Sequence, residues 1–330
     1  MDFLNIEKGW FDVRDRRIQK FFIFLLLYFN IILTPVFAVN EDFYCQVLRY
    51  GTDSDIIHSF SKVSGDLGPT VNGKVIEIFK EDHSEGVYIS IARYIGIAGL
   101  KETCPILYDE LNRARISEDY REELILTLSK LKEPSSVDFL KSYYFDIKRT
   151  KRIRKAIIDA WGEIGDSRIE DTLISLINNE YEDKELRGRA ILSVGKAGTE
   201  RSLDLLRGIA TNPQEEKILR MYSIHSLAKL GGEKVIDIIG ALIKDESHEV
   251  AEYAVNGMVE IGSKNCGDYL LQALKSDYDK VRIYAAMGLA VIKYEGAVDI
   301  LRFKSEHDVN ERVREEAKKA LEVIQHSEDN

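Results

Sequence analysis

Between residues 87 and 325 the apolar positions keep two rhythms at once. Within stretches such as "AILSVGKAG" (190–198) and "EVAEYAVNGMVEIG" (249–262) they return every three or four residues. That is the period of a helix with one buried face, and strand-type alternation is hard to find in the chain. Over a longer distance the whole pattern repeats. The position after the last apolar residue of each predicted helix falls at Gly99, Lys132, Gly165, Gly198, Gly231, Gly262, Lys293 and Gln325, in steps of 31 to 33 residues. Twelve places before this anchor stand Val87, Tyr120, Ile153, Leu186, Leu219, Val250, Val281 and Val313. Four before it stand Ile95, Leu128, Trp161, Val194, Leu227, Met258, Leu289 and Leu321. Directly before it stand Ala98, Leu131, Ile164, Ala197, Leu230, Ile261, Ile292 and Ile324. The place five before is mostly small (Ala160, Ser193, Ser226, Gly257, Gly288, Ala320), which predicts close approach of neighbouring helices. Glycine at most anchors fits a helix ending in a left-handed turn.

A second helix follows each anchor on the same beat, with Leu107, Leu140, Leu173, Leu206, Ile239, Leu270 and Leu301 eight places on. Two short helices with one buried stripe each are not stable alone, but stacked pairs share a continuous core. The predicted architecture is therefore an all-α solenoid of about eight to nine helix pairs. The repeat array covers 87–325, a degenerate N-terminal capping repeat covers 39–86, and a polar tail covers 326–330. In that capping repeat, "DSDIIHSFSKVSGDLG" (53–68) reads as one helix and "NGKVIEIFKED" (72–82) as the next, with "GPTVNG" as the turn between them.

Arginine stands eleven places before the anchor in six of the eight repeats: Arg121, Arg154, Arg187, Arg220, Arg282 and Arg314. Its neighbours on that helix face are core positions, so its stem lies beside the core and its head at the seam between repeats, a structural ladder. With this column, "VR-x-x-A-x-x-G-L-A-x-I" (281–292) resembles the short HEAT repeats also found in phycobilisome lyases. The resemblance spans roughly residues 50–325. It implies a right-handed superhelix and says almost nothing of activity. It also implies that the arginine pairs with an acid at the turn inside the repeat, for which Asp183, Glu216 and Asp279 are the candidates.

The first forty residues stand apart. Arg14, Arg16, Arg17 and Lys20 precede "FFIFLLLYFNIILTPVFA" (21–38), 18 residues without a charge, ending in Val36-Phe37-Ala38. This is the pattern of a secretory signal peptide with a cleavage site after small residues. The run nearly spans a bilayer, so an uncleaved anchor is the alternative. The chain is expected to be exported to the periplasm or cell envelope, with inner-membrane anchoring through 21–38 as the other outcome.

Charge narrows the partners. The 330 residues carry a formal net charge of −10, which argues against nucleic acid, whose phosphates need a basic face. "KRTKRIRK" (148–155) is a local exception, read as a solvated helix start or as a docking patch for an anionic surface. "GPTVNGKV" (68–75) approaches a phosphate-binding loop, but Val75 stands where Ser or Thr would hold magnesium and a helix, not a strand, precedes it. Deoxyhypusine hydroxylase, built of similar repeats, needs several His-Glu pairs for iron, whereas His248-Glu249 is the one such pair here. Nothing in the sequence asks for a cofactor, a metal or a catalytic residue. Cys104 and Cys266 lie five repeats apart, too far for a disulfide, and read as small buried residues.

What remains is a binding surface. On the helix carrying the V-R signature, the stripe facing away from the core holds Tyr222, His225 and Lys229, then Tyr253, Asn256 and Glu260, then Tyr284, Met287 and Val291. In HEAT-like arrays this helix lines the concave face. Tyrosine offers a large apolar body with a polar tip and is enriched at interfaces. Tyr222, His225, Lys229, Tyr253, Asn256, Tyr284 and Met287 are the residues expected to meet a protein or peptide partner.

Overall fold

The computed structural model describes residues 41–146 and 149–326. The segment 1–40, on which the signal or anchor reading rests, lies outside the described residues. Among those described there are helices and turns and no strand. Three helices lead in: α1 (Glu41–Tyr50), α2 (Asp53–Phe60) and α3 (Pro69–Ile78). The repeats then follow as α4 (Glu85–Ala98), α5 (Cys104–Asn112), α6 (Glu118–Leu131), α7 (Ser135–Tyr144), α8 (Lys151–Ile164) and α9 (Glu170–Asn178). They continue as α10 (Lys184–Ala197), α11 (Leu203–Thr211), α12 (Lys217–Gly231), α13 (Ile236–Ala241) and α14 (His248–Ile261). The array closes with α15 (Gly267–Ala273), α16 (Asp279–Val291), α17 (Val298–His307) and α18 (Glu311–Gln325).

The even-numbered helices from α4 to α18 carry the V-R signature. Each packs on the next to form one continuous layer, and the odd-numbered helices cover its back. The columns explain why. The position twelve before the anchor is at most 2% exposed in every repeat, and the leucine or isoleucine eight after it is fully buried in every repeat. The column directly before the anchor is less regular: Leu131, Ala197, Ile292 and Ile324 are buried, whereas Ala98, Ile164, Leu230 and Ile261 are half-buried. Because the even-numbered helices approach one another and the odd-numbered ones splay, the even layer is the inside of the curve.

Caps set the ends of these helices. Ser117 and Thr150 accept from backbone N–H groups in the first turns of α6 and α8, and Asn310 does so for α18. At their other ends Gly99, Gly165 and Gly262 take positive φ, and so do Lys132 and Lys293 despite their Cβ atoms. Gly198 departs from the pattern with extended backbone. There the buried Glu170 carboxylate accepts from the Thr199 N–H (2.8 Å), the Thr199 hydroxyl (2.9 Å) and the Ser202 hydroxyl (2.7 Å) and sets the turn instead.

Close approach of the even layer is built from small residues. Thr127, Ser193 and Ser226 donate their hydroxyls across the seam to the carbonyls of Ala92, Ile158 and Ile191 at 2.7–2.9 Å. A Cβ on Gly195 would stand 2.7 Å from the Ser226 Cβ and 2.9 Å from its Cα. Gly195→Ala is therefore expected to destabilise the protein by about 1–3 kcal/mol through overpacking. Urea unfolding checks this, and adding Ser226→Gly should recover part of the loss.

The N-terminal segment corrects two boundaries. "GPTVNG" is not a turn: α3 begins at Pro69, so most of the stretch is helical, and α2 ends at Phe60, well short of residue 68. The N-terminus of α3, where a phosphate would sit, is already occupied. Glu41 Oε1 accepts from the Thr70 N–H at 2.7 Å, and the hydrogen bonds from Thr70 lower the Glu41 pKa.

Candidate functional site

The inner face is a lattice of charges that tie each repeat to the next. Arg93 pairs with Glu123 at 2.7 Å, Lys155 with Glu185 at 2.8 Å, Lys217 with Glu249 at 2.8 Å, and Lys280 approaches Glu252 at 3.7 Å. Hydrogen bonds from Lys155 and Lys151 bring Glu185 down to about 2, and those from Lys217 and Ser247 do the same for Glu249. The basic run at 149–155 is absorbed into this lattice. Lys151 meets Asp183 and Glu185, Arg152 meets Asp119 and Glu122, and Arg149 meets Asp146 and lies 3.7 Å over the Tyr143 ring.

The arginine column makes a second set of cross-repeat contacts, deeper in the seam. Arg187 and Arg220 each donate Nε at 3.0 Å to the carbonyl ten residues earlier, Ile177 and Ala210, at the end of the preceding helix. They then reach forward, Arg187 to Glu215 and Arg220 to Asp245. Arg282 holds Asp308 with two bonds, Nε to Oδ2 at 3.0 Å and Nη2 to Oδ1 at 2.9 Å. Arg314 donates to the Asp308 carbonyl at 2.7 Å, and Arg121 to the Leu111 carbonyl at 3.1 Å. Arg154 sits 5.5 Å from the centre of the Tyr144 ring. The expected acids are thus corrected. Asp183 pairs with Lys151, Glu216 with Lys184, and Asp279 accepts from Asn310. The acids that arginine meets, Glu215, Asp245 and Asp308, lie in the same kind of turn one repeat further on. They sit 28, 25 and 26 residues after their arginines, an unequal spacing that forms no column in the sequence.

Toward the C-terminal half, Tyr222, Tyr253 and Tyr284 occupy the same place on α12, α14 and α16. Each is half-buried against the core. The Tyr222 ring lies over Gly188, close enough that a Cβ there would come within 3.0 Å of it. His225 reaches the next repeat through Nδ1, 3.0 Å from Glu260. Lys229 and Asn256 are exposed, and Met287 and Val291 present 44% and 61% of their surface. The tyrosines are thus partly packed on the core and partly exposed, beside two apolar side chains in solvent.

A groove that sequence reasoning missed opens on the same face between α4, α6 and α8, about 390 Å³ in volume. Ile89, Leu126, Ala156 and Ala160 give it apolar surface, with Leu126 45% exposed. Asp119, Glu122, Glu123, Asp159 and Glu163 line it together with Arg93 and Arg152. Its signal in the sequence was the tyrosine column itself, which reads Ala156 on α8 where α12, α14 and α16 carry Tyr. Removing the ring leaves the space.

No described helix is long and apolar enough to cross a membrane, and no described group of His, Cys, Asp and Glu could hold a metal ion. Cys104 and Cys266 are buried free thiols whose pKa values burial pushes up; Cys45 is half-buried and also free.

A sequence model of HEAT repeats matches residues 147–220, which span α8 to α11 and the first residues of α12. The repeats within this stretch are HEAT repeats. The crystal structure of Kap121p has a similar fold, at 11% identity and a TM-score of 0.51 over 88% of this chain and 39% of its own. At that identity the likeness concerns the fold alone. The CpcE–CpcF complex of phycocyanin lyase from Nostoc sp. PCC7120 matches at 18% identity and TM-score 0.42, over 67% of this chain and 94% of that one. Human deoxyhypusine hydroxylase matches at 15% identity and TM-score 0.36, over 85% and 99%. No curated protein sequence matches the chain.

Proposed function

We propose that this HEAT-repeat chain is an exported, non-catalytic scaffold that grips a protein or peptide on its concave face. The observation carrying the reading is the alignment of Tyr222, Tyr253 and Tyr284 on three successive inner helices beside exposed Met287 and Val291. Aromatic edges already held by the core lose little side-chain entropy on contact, which favours their use as anchors. His225, Lys229 and Asn256 supply polar contacts around them. Export rests on the charged and apolar pattern of residues 14–38.

The test is affinity capture from an envelope fraction with wild type and with Tyr222→Ala/Tyr253→Ala/Tyr284→Ala. The wild type should retain a defined partner, and the variant, still helical by circular dichroism, should lose it at least about tenfold. Equal capture by the folded variant would overturn the reading. The uncharged run at 21–38 favours one other reading, a membrane-anchored structural or assembly component of the cell envelope. Sequencing the mature N-terminus separates the two: a start near Val39 in the soluble pool supports release, and an intact start in membranes supports anchoring.

A further inference from the structure

The groove between α4, α6 and α8 contains a carboxylate whose needs the protein does not meet. Glu123 is 8% exposed. Its Oε2 accepts from Arg93 at 2.7 Å, while its Oε1 is buried and has no hydrogen-bond partner among the described residues. A buried carboxylate oxygen without a protein partner is costly, and native structures leave few. A second carboxylate in the same groove is loosely held. Asp159 has Arg189 as its ion-pair partner at 3.5 Å, beyond a good hydrogen bond. Partial desolvation raises its pKa in spite of Arg189, Lys155 and Lys196 nearby, although the side chain remains 40% exposed. The remaining acids are better served: Asp119 and Glu122 share Arg152, and Glu163 has Lys196. The groove that these two carboxylates line also carries apolar surface from Leu126, Ala156 and Ala160.

We infer that this groove receives a lysine or arginine side chain from an extended segment of the partner protein. This rests on the reading of the concave face as a binding surface and names the chemistry it recognises. A basic side chain matches both parts of the groove. Its aliphatic stem lies on Leu126 and Ala156, and its donors, three on an ammonium or five on a guanidinium, serve Glu123 and Asp159. In the column that holds Tyr222, Tyr253 and Tyr284, the groove helices α4, α6 and α8 carry Ser90, Glu123 and Ala156 instead. The array thus offers an acidic cleft in its N-terminal half and aromatic edges in its C-terminal half.

The test uses the full chain and short extended synthetic peptides that differ at one central residue, Lys, Arg, norleucine or Glu, with binding followed by calorimetry. Lys and Arg peptides should bind at least about tenfold more tightly than norleucine, the scale of one charge-assisted hydrogen bond, and Glu most weakly. Glu123→Gln with Asp159→Asn should erase the preference. Ala156→Tyr, a residue this position holds in three other repeats, should fill the groove and abolish binding with the helical signal intact. Equal binding of norleucine and Lys peptides, unchanged preference in the charge variants, no binding of any peptide, or binding unaffected by Ala156→Tyr would each overturn the inference. The two ideas fail separately. Partner capture that needs the three tyrosines but ignores these variants sinks the cleft alone, and capture that ignores the tyrosines sinks the broader reading.

Discussion

Replacing Asp308 with alanine is expected to cost about 3–5 kcal/mol and to unfold the C-terminal end of the array first, because it strands a buried cation. The Asp308 side chain is 2% exposed and the Arg282 side chain 7%. The carboxylate accepts from Arg282 twice, from Lys304 Nζ at 2.9 Å and from the Asn310 N–H at 3.0 Å. It therefore joins α16, α17 and the cap of α18. Without it Arg282 keeps the Ser276 and Asp277 carbonyls (2.9 and 3.1 Å), but its charge is uncompensated. Hydrogen exchange should show the loss concentrated in residues 279–325, with α4 to α10 unaffected, since repeats feel mainly their neighbours. The same group gives a pH signature. Burial pushes the Asp308 pKa up, but the hydrogen bonds from Arg282, Lys304 and Asn310 outweigh it and bring the carboxyl down to about 2. A carboxyl depressed on folding stabilises the protein above its ordinary pKa of 3.8, and that contribution fades as pH falls toward 2. The gap amounts to about 2 kcal/mol. Urea unfolding of wild type and Asp308→Asn should thus converge between about pH 4 and pH 2. A difference that stays constant across that window would refute the assignment.

Trp161→Ala should cost as much, about 3–5 kcal/mol, from the middle of the array. Trp161 is fully buried on α8, and its ring centre lies 5.2 Å from that of Tyr144 on α7. In the other repeats this column holds aliphatic side chains, so the seam around α8 is shaped to an unusually large residue. Truncation leaves a cavity that the flanking helices cannot close without losing their own contacts. Trp161→Leu, the commonest residue of the column, should lose clearly less. The indole Nε1 has no hydrogen-bond partner among the described residues, so no bond is forfeited with the ring. Because the damage sits between two sets of repeats, unfolding of Trp161→Ala should split into two steps where the wild type shows one. A single unchanged transition would show that α8 does not couple the halves.

The regular part of this molecule was legible because each helix buries the same face against the same kind of neighbour. Val87 and its seven equivalents, and Leu107 and its six, needed only their spacing to be placed in the core. Where a local device replaced the common one, the columns misled. Gly198 looks like the other anchors, yet the Glu170 carboxylate holds its turn in extended backbone, and "GPTVNG" looks like a loop although proline at its start opens α3. The tyrosine row was visible as a column. The half-burial of each ring was not, since for Tyr222 it depends on Gly188 one helix away.

The sequence alone determined the helical period, the repeat length and the seam position of Arg121, Arg154, Arg187, Arg220, Arg282 and Arg314, because all of these are set by register along one helix. The tertiary structure decided which acids those arginines meet and where the inner surface opens beside Glu123. Both depend on the distance between helices some thirty residues apart, a distance set by stacking and by the turns between repeats and written in no single stretch of chain.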